Sequence, residues 1–264
     1  MIKFFRKIRQ QLLTENKFSK YLIYAIGEIV LVVIGILIAL QLNNWNEHQK
    51  QLKLEQEYYC RLQEDAMLDK EQINDLLGLA QDRLAASNQA VRLLLNDTVQ
   101  QVDIGNQIAL SIKAIYSDFK PNNSAFEDLK SGANLNIISD KSIIKALNQY
   151  FNKVEELKSI IMVNGKHAVD ILFAHRDNFA NGANQASIRA GRFSTGLDQD
   201  LKDVIQINDQ DILSTQMKTR LLNEALDYLS VNTRQIELYN YMLEEIKGLE
   251  KLLQSKCRIQ DLNK

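Results

Sequence analysis

Residues 21–42 read YLIYAIGEIVLVVIGILIALQL, and the inner run from Ile29 to Leu40 carries no polar side chain. An α-helix rises about 1.5 Å per residue, so roughly 20 apolar residues cross the hydrocarbon core of a bilayer. Tyr21 and Tyr24 stand at one edge and Trp45 at the other, as interfacial aromatics do. The stretch predicts one transmembrane helix over 21–42. A buried core helix is the first alternative, but such helices are shorter and carry a polar stripe. A cleavable leader is the second, with a shorter apolar core and small residues spaced as A-x-A. After Ala39 the chain continues LQLNNWNE, which offers no such site, so the segment is expected to stay as an anchor.

Outward on the N-terminal side, Lys3, Arg6, Lys7, Arg9, Lys17 and Lys20 are opposed only by Glu15. Beyond the span, acids and bases balance. The positive-inside bias therefore predicts a cytoplasmic N-terminus over 1–20 and an extracytoplasmic part over 43–264. In a bacterium this is the inner membrane, with the long part periplasmic or extracellular. MIKFFRKIRQQLL puts Phe4, Phe5, Ile8, Leu12 and Leu13 near one helical face and Lys3, Arg6, Lys7 and Arg9 largely on the other. Such a basic amphipathic helix binds membrane lipids at the headgroup layer. The plainer alternative is a basic arm that only sets topology.

Within the span, Glu28 is the anomaly. An unpaired, ionised carboxylate there costs on the order of 2.5–3.5 kcal/mol on insertion scales. Tyr24, Glu28, Gly35 and Ala39 share one face, and Gly35-x-x-x-Ala39 has the small-xxx-small spacing that lets helices approach closely. The face predicts assembly, with a homo-oligomer or a membrane protein as partner, or a proton or ion site at Glu28. Alternatively, Glu28 snorkels to the interface.

Beyond Trp45 the helix is expected to continue. Leu52, Tyr59, Ala66, Ile73, Ala80, Ser87 and Leu94 recur every seven residues, and Leu62 and Leu76 belong to a second row that Glu55, Asp69 and Arg83 interrupt. Gly78 is a candidate bend, and Asn96-Asp97 ends the helix. Further elements follow: a helix from about Asn106 to Phe119, and a short one opened by the box Ser124-x-x-Glu127 and closed by a left-handed Gly132. A long helix capped by Asp140 runs to about Phe179, with Ile143, Leu147, Tyr150, Val154, Leu157, Ile161, Ala168, Leu172 and Phe179 as its stripe. The stretch Asn181–Gly196 lacks periodicity. Arg176, Arg189 and Arg192 make its surroundings basic, either a receptor for an acidic partner or a solvated connection. The last helix is expected from Asp209 or Asp211 to about Lys256, with Leu222, Leu229, Ile236 and Leu243 in one row. Ala225, Asn232, Tyr239, Ile246 and Leu253 form the other, where Asn232 can fix the register.

Composition agrees with an all-α fold: 264 residues, one proline, ten glycines, 45% hydrophobic and 25% charged. A formal net charge of -1 argues against nucleic-acid binding. The predicted architecture is an N-terminal amphipathic helix, then one transmembrane helix continuing into an elongated extracytoplasmic bundle. Its first and last long helices are antiparallel neighbours. With Asn96 opposite Asp211, Cys60 faces about residue 247 and Cys257 lies about 15 Å farther on. That offset disfavours a disulfide, since Cα atoms beyond about 7 Å are not bridged.

No nucleotide loop, dinucleotide fingerprint, G-x-S-x-G or H-E-x-x-H occurs, and His48, His167 and His175 are not spaced as metal ligands. No catalytic residue, metal or cofactor is therefore expected, and an interaction, scaffold or accessory role, or a ligand-sensing ectodomain working through a partner, is expected instead. The N-terminal motifs ENKFSKY, GEI, VVIGILIALQ and NNWNE resemble an uncharacterised bacterial membrane-protein family classed as a domain of unknown function. FEDLKSGANLNIIS resembles it as well, departing from the LKSSGNL found there. The likeness is strongest over residues 1–47. It implies a single-pass membrane protein and carries over no activity and no catalytic residues.

Overall fold

The computed structural model describes residues 18–96, 101–116, 119–132, 134–174, 198, 200 and 214–257. Every regular element among them is helical: α1 (Phe18–Leu94), α2 (Gln101–Ser111), α3 (Ser124–Ser131), a 3-10 turn (Asn134–Asn136), α4 (Lys141–Phe173) and α5 (Thr215–Lys256). The amphipathic helix expected before residue 18 lies outside the described residues. The chain divides into two units, Met1–Gln56 and Glu57–Lys264.

The first unit contributes the start of α1, where every residue from Ile29 to Leu54 is exposed. By length and composition this is a helix able to cross a membrane. Leu52, the first member of the predicted heptad row, is 45% exposed.

The second unit is a helical bundle whose core is written by periodicity. Tyr59, Ala66, Ile73, Ala80, Ser87 and Leu94 are all buried on α1, as are Leu62 and Leu76. On α4 the stripe from Ile143 to Ile161 and Ala168 is buried, while Leu172 is half-buried and Phe179 lies outside the described residues. Removing each large side chain from water is worth about 1.5–3 kcal/mol, so these stripes hold the helices together. The core has two parts. One gathers Leu62, Ile73, Leu147, Tyr150 and Ile246; the other gathers Leu94, Ile108, Ala168, Leu221 and Tyr228.

On α5 the row Ala225, Asn232, Tyr239, Ile246 and Leu253 is buried as predicted. The other is displaced by one residue: Leu221, Tyr228, Gln235, Met242 and Leu249 are buried, whereas Leu222, Leu229, Ile236 and Leu243 are half-buried. Val231 and Leu238 are buried too, so α5 turns an arc broader than a two-row seam into the bundle.

Several boundaries differ from the sequence expectation, each for a local reason. α5 begins at Thr215, where Ser214 Oγ accepts from Met217 N at 3.2 Å; Asp209 and Asp211 lie outside the described residues. α2 starts and stops earlier than expected. Its C-terminal carbonyls are taken by other helices, with Asn232 Nδ2 donating to Ser111 O at 2.9 Å and Arg83 Nη1 to Lys113 O at 3.4 Å. Ala114 then turns the chain with φ 54°.

α3 does not use its predicted capping box. Asp65 of α1 accepts from Ala125 N at 2.9 Å and from Ser124 Oγ, so a carboxylate from a neighbouring helix caps it. Gly132 ends α3 at φ −76°, not in the left-handed region, and a Cβ there would press on the Asn134 side chain and lie 3.1 Å from Asp128 O.

α1 and α5 are antiparallel, as the pairs Cys60–Cys257, Lys70–Glu250 and Arg83–Asn232 establish. The register departs from the one anticipated from matched helix ends. Cys60 meets Cys257 itself, with Cα atoms 4.8 Å apart, and the two form a disulfide. The ends are not flush: Leu94, at the end of α1, belongs to the cluster containing Leu221 and Ala225, well inside α5.

Candidate functional site

The interruptions in the second heptad row of α1 are the polar interior of the bundle. Asp69 is 1% exposed and Arg83 3%, two heptads of the row apart and flanked by Leu62, Leu76 and Ala90. Buried charges persist when their hydrogen bonds are made, and both are held this way.

Asp69 Oδ1 accepts from the backbone N of Asn122 at 2.6 Å and from Asn122 Nδ2 at 2.9 Å, while Oδ2 accepts from Tyr150 Oη at 2.6 Å. One carboxylate thus ties α1 to α4 and to the turn after Pro121. Burial pushes its pKa up against these three donors, which act to lower it. Tyr150 is pushed up as well, first by burial and then by the Asp69 charge. Folding therefore favours protonated Asp69, and its contribution to stability increases as pH falls through its folded value.

Arg83 Nε donates to Asn232 Oδ1 at 2.9 Å and Nη2 to Gln235 Oε1 at 2.6 Å. Asn232 Nδ2 also donates to Ser87 Oγ at 3.2 Å. The guanidinium is solvated by amides and carbonyls, and burial lowers its pKa. Gln235 Nε2 makes no hydrogen bond and lies near Gly165, where an added Cβ would be 3.7 Å from it and 3.3 Å from Ile115 O. Glycine lets α4 approach the turn after α2 closely. Chemically the network can fix register and orientation; it presents no nucleophile beside a base.

The bundle is also clamped at its periphery. Lys256 Nζ lies 2.8 Å from Asp140 Oδ2, and Asp140, the N-cap of α4, accepts from Ser142 N and Ser142 Oγ. Lys256 and these donors hold the Asp140 carboxyl down at about 2, from 3.8. Because the folded value is depressed, the contribution is present above 3.8 and is lost as pH falls toward 2. Asp140→Asn keeps the cap but removes the charge. The stability gap between wild type and variant, followed by denaturant unfolding, is expected to close between about pH 4 and pH 2. A gap independent of pH would show that the ion pair contributes nothing.

Of the assembly face singled out by sequence, the described side chains all lie on α1. Glu28 is half-buried on α1, while Gly35 and Ala39 are exposed. Nothing lies within 4 Å of the position of a Gly35 Cβ. The Tyr24 side chain lies outside the described residues, as do Lys3, Arg6, Lys7 and Arg9, and Arg176, Arg189 and Arg192. His48 and His167 are exposed, and no three potential metal ligands cluster among the described residues. Asp69 and Arg83 escaped notice as a site because they read as defects in a stripe. Their spacing of two heptads within an otherwise apolar row was the available signal.

A family model described as "Family of unknown function (DUF6090)" matches residues 28–166. The matched range opens at Glu28, inside GEI, takes in VVIGILIALQ, NNWNE and FEDLKSGANLNIIS and leaves ENKFSKY outside it, so the likeness reaches well past the N-terminal 47 residues. No curated protein and no solved structure matches the chain.

Proposed function

The chain belongs to the DUF6090 family of unknown function, and from that premise we propose that it is a membrane-anchored interaction protein. In this reading it is a scaffold or accessory subunit of a bacterial inner membrane, with its helical bundle outside the cytoplasm and no catalysis of its own. The observation that carries it is the division within α1. The helix is wholly exposed and apolar over Ile29–Leu40 and carries the buried heptad row from Tyr59 to Leu94. Two further features support the orientation: the basic excess before Tyr21 and the Cys60–Cys257 disulfide, a bond that persists in oxidising compartments.

Reporter fusions after Lys264 test the orientation. A reporter that functions only outside the cytoplasm is expected to be active there; activity of a cytoplasm-only reporter would sink the topology. Crosslinking and purification from native membranes then tests the interaction itself, and a chain that travels alone would refute it.

A second reading rests on Glu28, a half-buried carboxyl in the apolar segment on the face of Gly35 and Ala39. Here the chain assembles through that face, and Glu28 moves a proton or ion. Gly35→Ile is expected to weaken self-association in a membrane dimerisation assay. Proton flux into liposomes is expected to drop with Glu28→Gln. Unchanged association and unchanged flux would remove this reading.

A further inference from the structure

On one side of the bundle, an open groove lies between α1 and the C-terminal end of α5. Glu64, Met67, Leu68, Glu71 and Asp75 of α1 line it, and Glu250 and Cys257 of α5 form its far wall. The α1 positions follow helical spacing, so they make one continuous stripe. Met67 is 54% exposed and Leu68 45%.

The acids α1 places in this groove lack the paired neighbouring base that many acids elsewhere on the surface have. Elsewhere acids commonly sit three or four residues from a base and pair with it: Glu127 with Lys130, Glu156 with Lys153, Glu155 with Lys158, Asp170 with Lys166, Glu237 with Arg234 and Glu244 with Lys247. Among the described residues, Glu64, Glu71 and Asp75 form no ion pair. Glu71 and Asp75 are like charges at i and i+4, an arrangement that costs a helix a few tenths of a kcal/mol. Lys70, the cation of the groove, is engaged by Glu250 at 2.8 Å. The groove is preformed, since the disulfide and this ion pair hold its two walls together.

We propose that this groove docks a basic amphipathic polypeptide segment of a partner protein. Apolar side chains of the segment cover Met67 and Leu68, and its cations meet Glu64, Glu71 and Asp75. The chemistry favours this occupant over the others. A second copy would bring the same acidic stripe against itself, and an anionic lipid surface would be repelled. A simple cation would leave the apolar pair uncovered. The inference deepens the interaction reading above and rests on it.

The test uses the full chain in nanodiscs of zwitterionic phosphatidylcholine. The probe is a fluorescein-labelled peptide of about 14 residues, with Leu and Lys at helical spacing, followed by anisotropy. Saturable binding that weakens with salt is expected. Glu64→Gln/Glu71→Gln/Asp75→Asn should weaken it about tenfold and flatten the salt dependence, and Met67→Ser/Leu68→Ser should weaken it with the salt dependence intact. Glu155→Gln/Glu156→Gln on α4 should bind as wild type does. All of these residues are on the surface, and circular dichroism checks that each variant is folded.

Groove variants that bind like wild type, or α4 variants that weaken equally, would overturn the proposal. Tighter probe binding after removal of residues 258–264 would assign the groove to the chain's own terminus, and loss of binding at self-associating concentrations would assign it to a second copy; either overturns the proposal. Partner capture from native membranes separates the two levels of inference. A crosslinked partner that survives the groove substitutions refutes this site alone, whereas absence of any partner refutes the interaction reading.

Discussion

Arg83→Ala is expected to destabilise the helical bundle by about 2–6 kcal/mol, the summed cost of leaving two interior amide oxygens without their donor. Asn232 Oδ1 and Gln235 Oε1 would lose their donor in the interior, each at a desolvation cost of about 1–3 kcal/mol, and a void would replace the guanidinium. Denaturant unfolding of the purified protein measures it. The combined change Arg83→Met/Asn232→Leu/Gln235→Leu should recover part of the loss, because no amide then waits for a donor and no charge is buried. A loss below about 1 kcal/mol for Arg83→Ala would mean that water solvates this network, contrary to its burial.

Loss of the disulfide is the second large effect. Cys60 and Cys257 are 197 residues apart in sequence, so the bond removes much of the freedom of the unfolded chain. Cys60→Ser/Cys257→Ser is expected to cost about 2–5 kcal/mol, or roughly 4–20 °C in melting temperature for a unit of this size. Reductant should bring the wild type down to the double variant and leave the variant unaffected. A wild type indifferent to reductant, with the bond shown open by mass mapping, would refute the stabilising role. The native positions of α1 and α5 should survive the loss, because Lys70–Glu250, Lys256–Asp140 and the buried Leu249 and Leu253 remain.

The all-helical class, the apolar segment and the buried row of α1 were legible because each is a one-dimensional pattern. A run of apolar residues or a seven-residue repeat needs no knowledge of a neighbour. The second row of α5 was misplaced for an instructive reason. Its true members include the polar Gln235, so the wholly apolar row one residue later looked better. Asp69 and Arg83 were obscured in the same way, since polarity at a core position becomes intelligible only once its partners are known.

Other features were not legible because they belong to pairs of elements. Asp65 caps a helix about 60 residues away, displacing a local box that the sequence contains in full. The disulfide depended on a register that Arg83 and Asn232 fix from inside, whereas helix ends were the guide in the sequence. The groove beside that bond has the same character: its acids are ordinary as letters, and only the packing of α1 on α5 sets them beside an exposed apolar pair.

The antiparallel pairing of α1 with α5 also orders events during synthesis. The stripe from Tyr59 to Leu94 leaves the ribosome long before its covering helix, and Leu221 to Leu253 are made last among the described helices. Until α5 is made, the nascent chain therefore has only α2, α3 and α4 to set against that face, and part of it stays uncovered. Local helices can form early, but the contacts of greatest sequence separation close the structure, and such contacts are slow to form. Quality control consequently meets a binary object. A chain stopped before Leu238 lacks every buried α5 residue of the cluster that holds Tyr59 and remains a substrate for holding factors and proteases, while a chain that has delivered α5 can withdraw that face in one step.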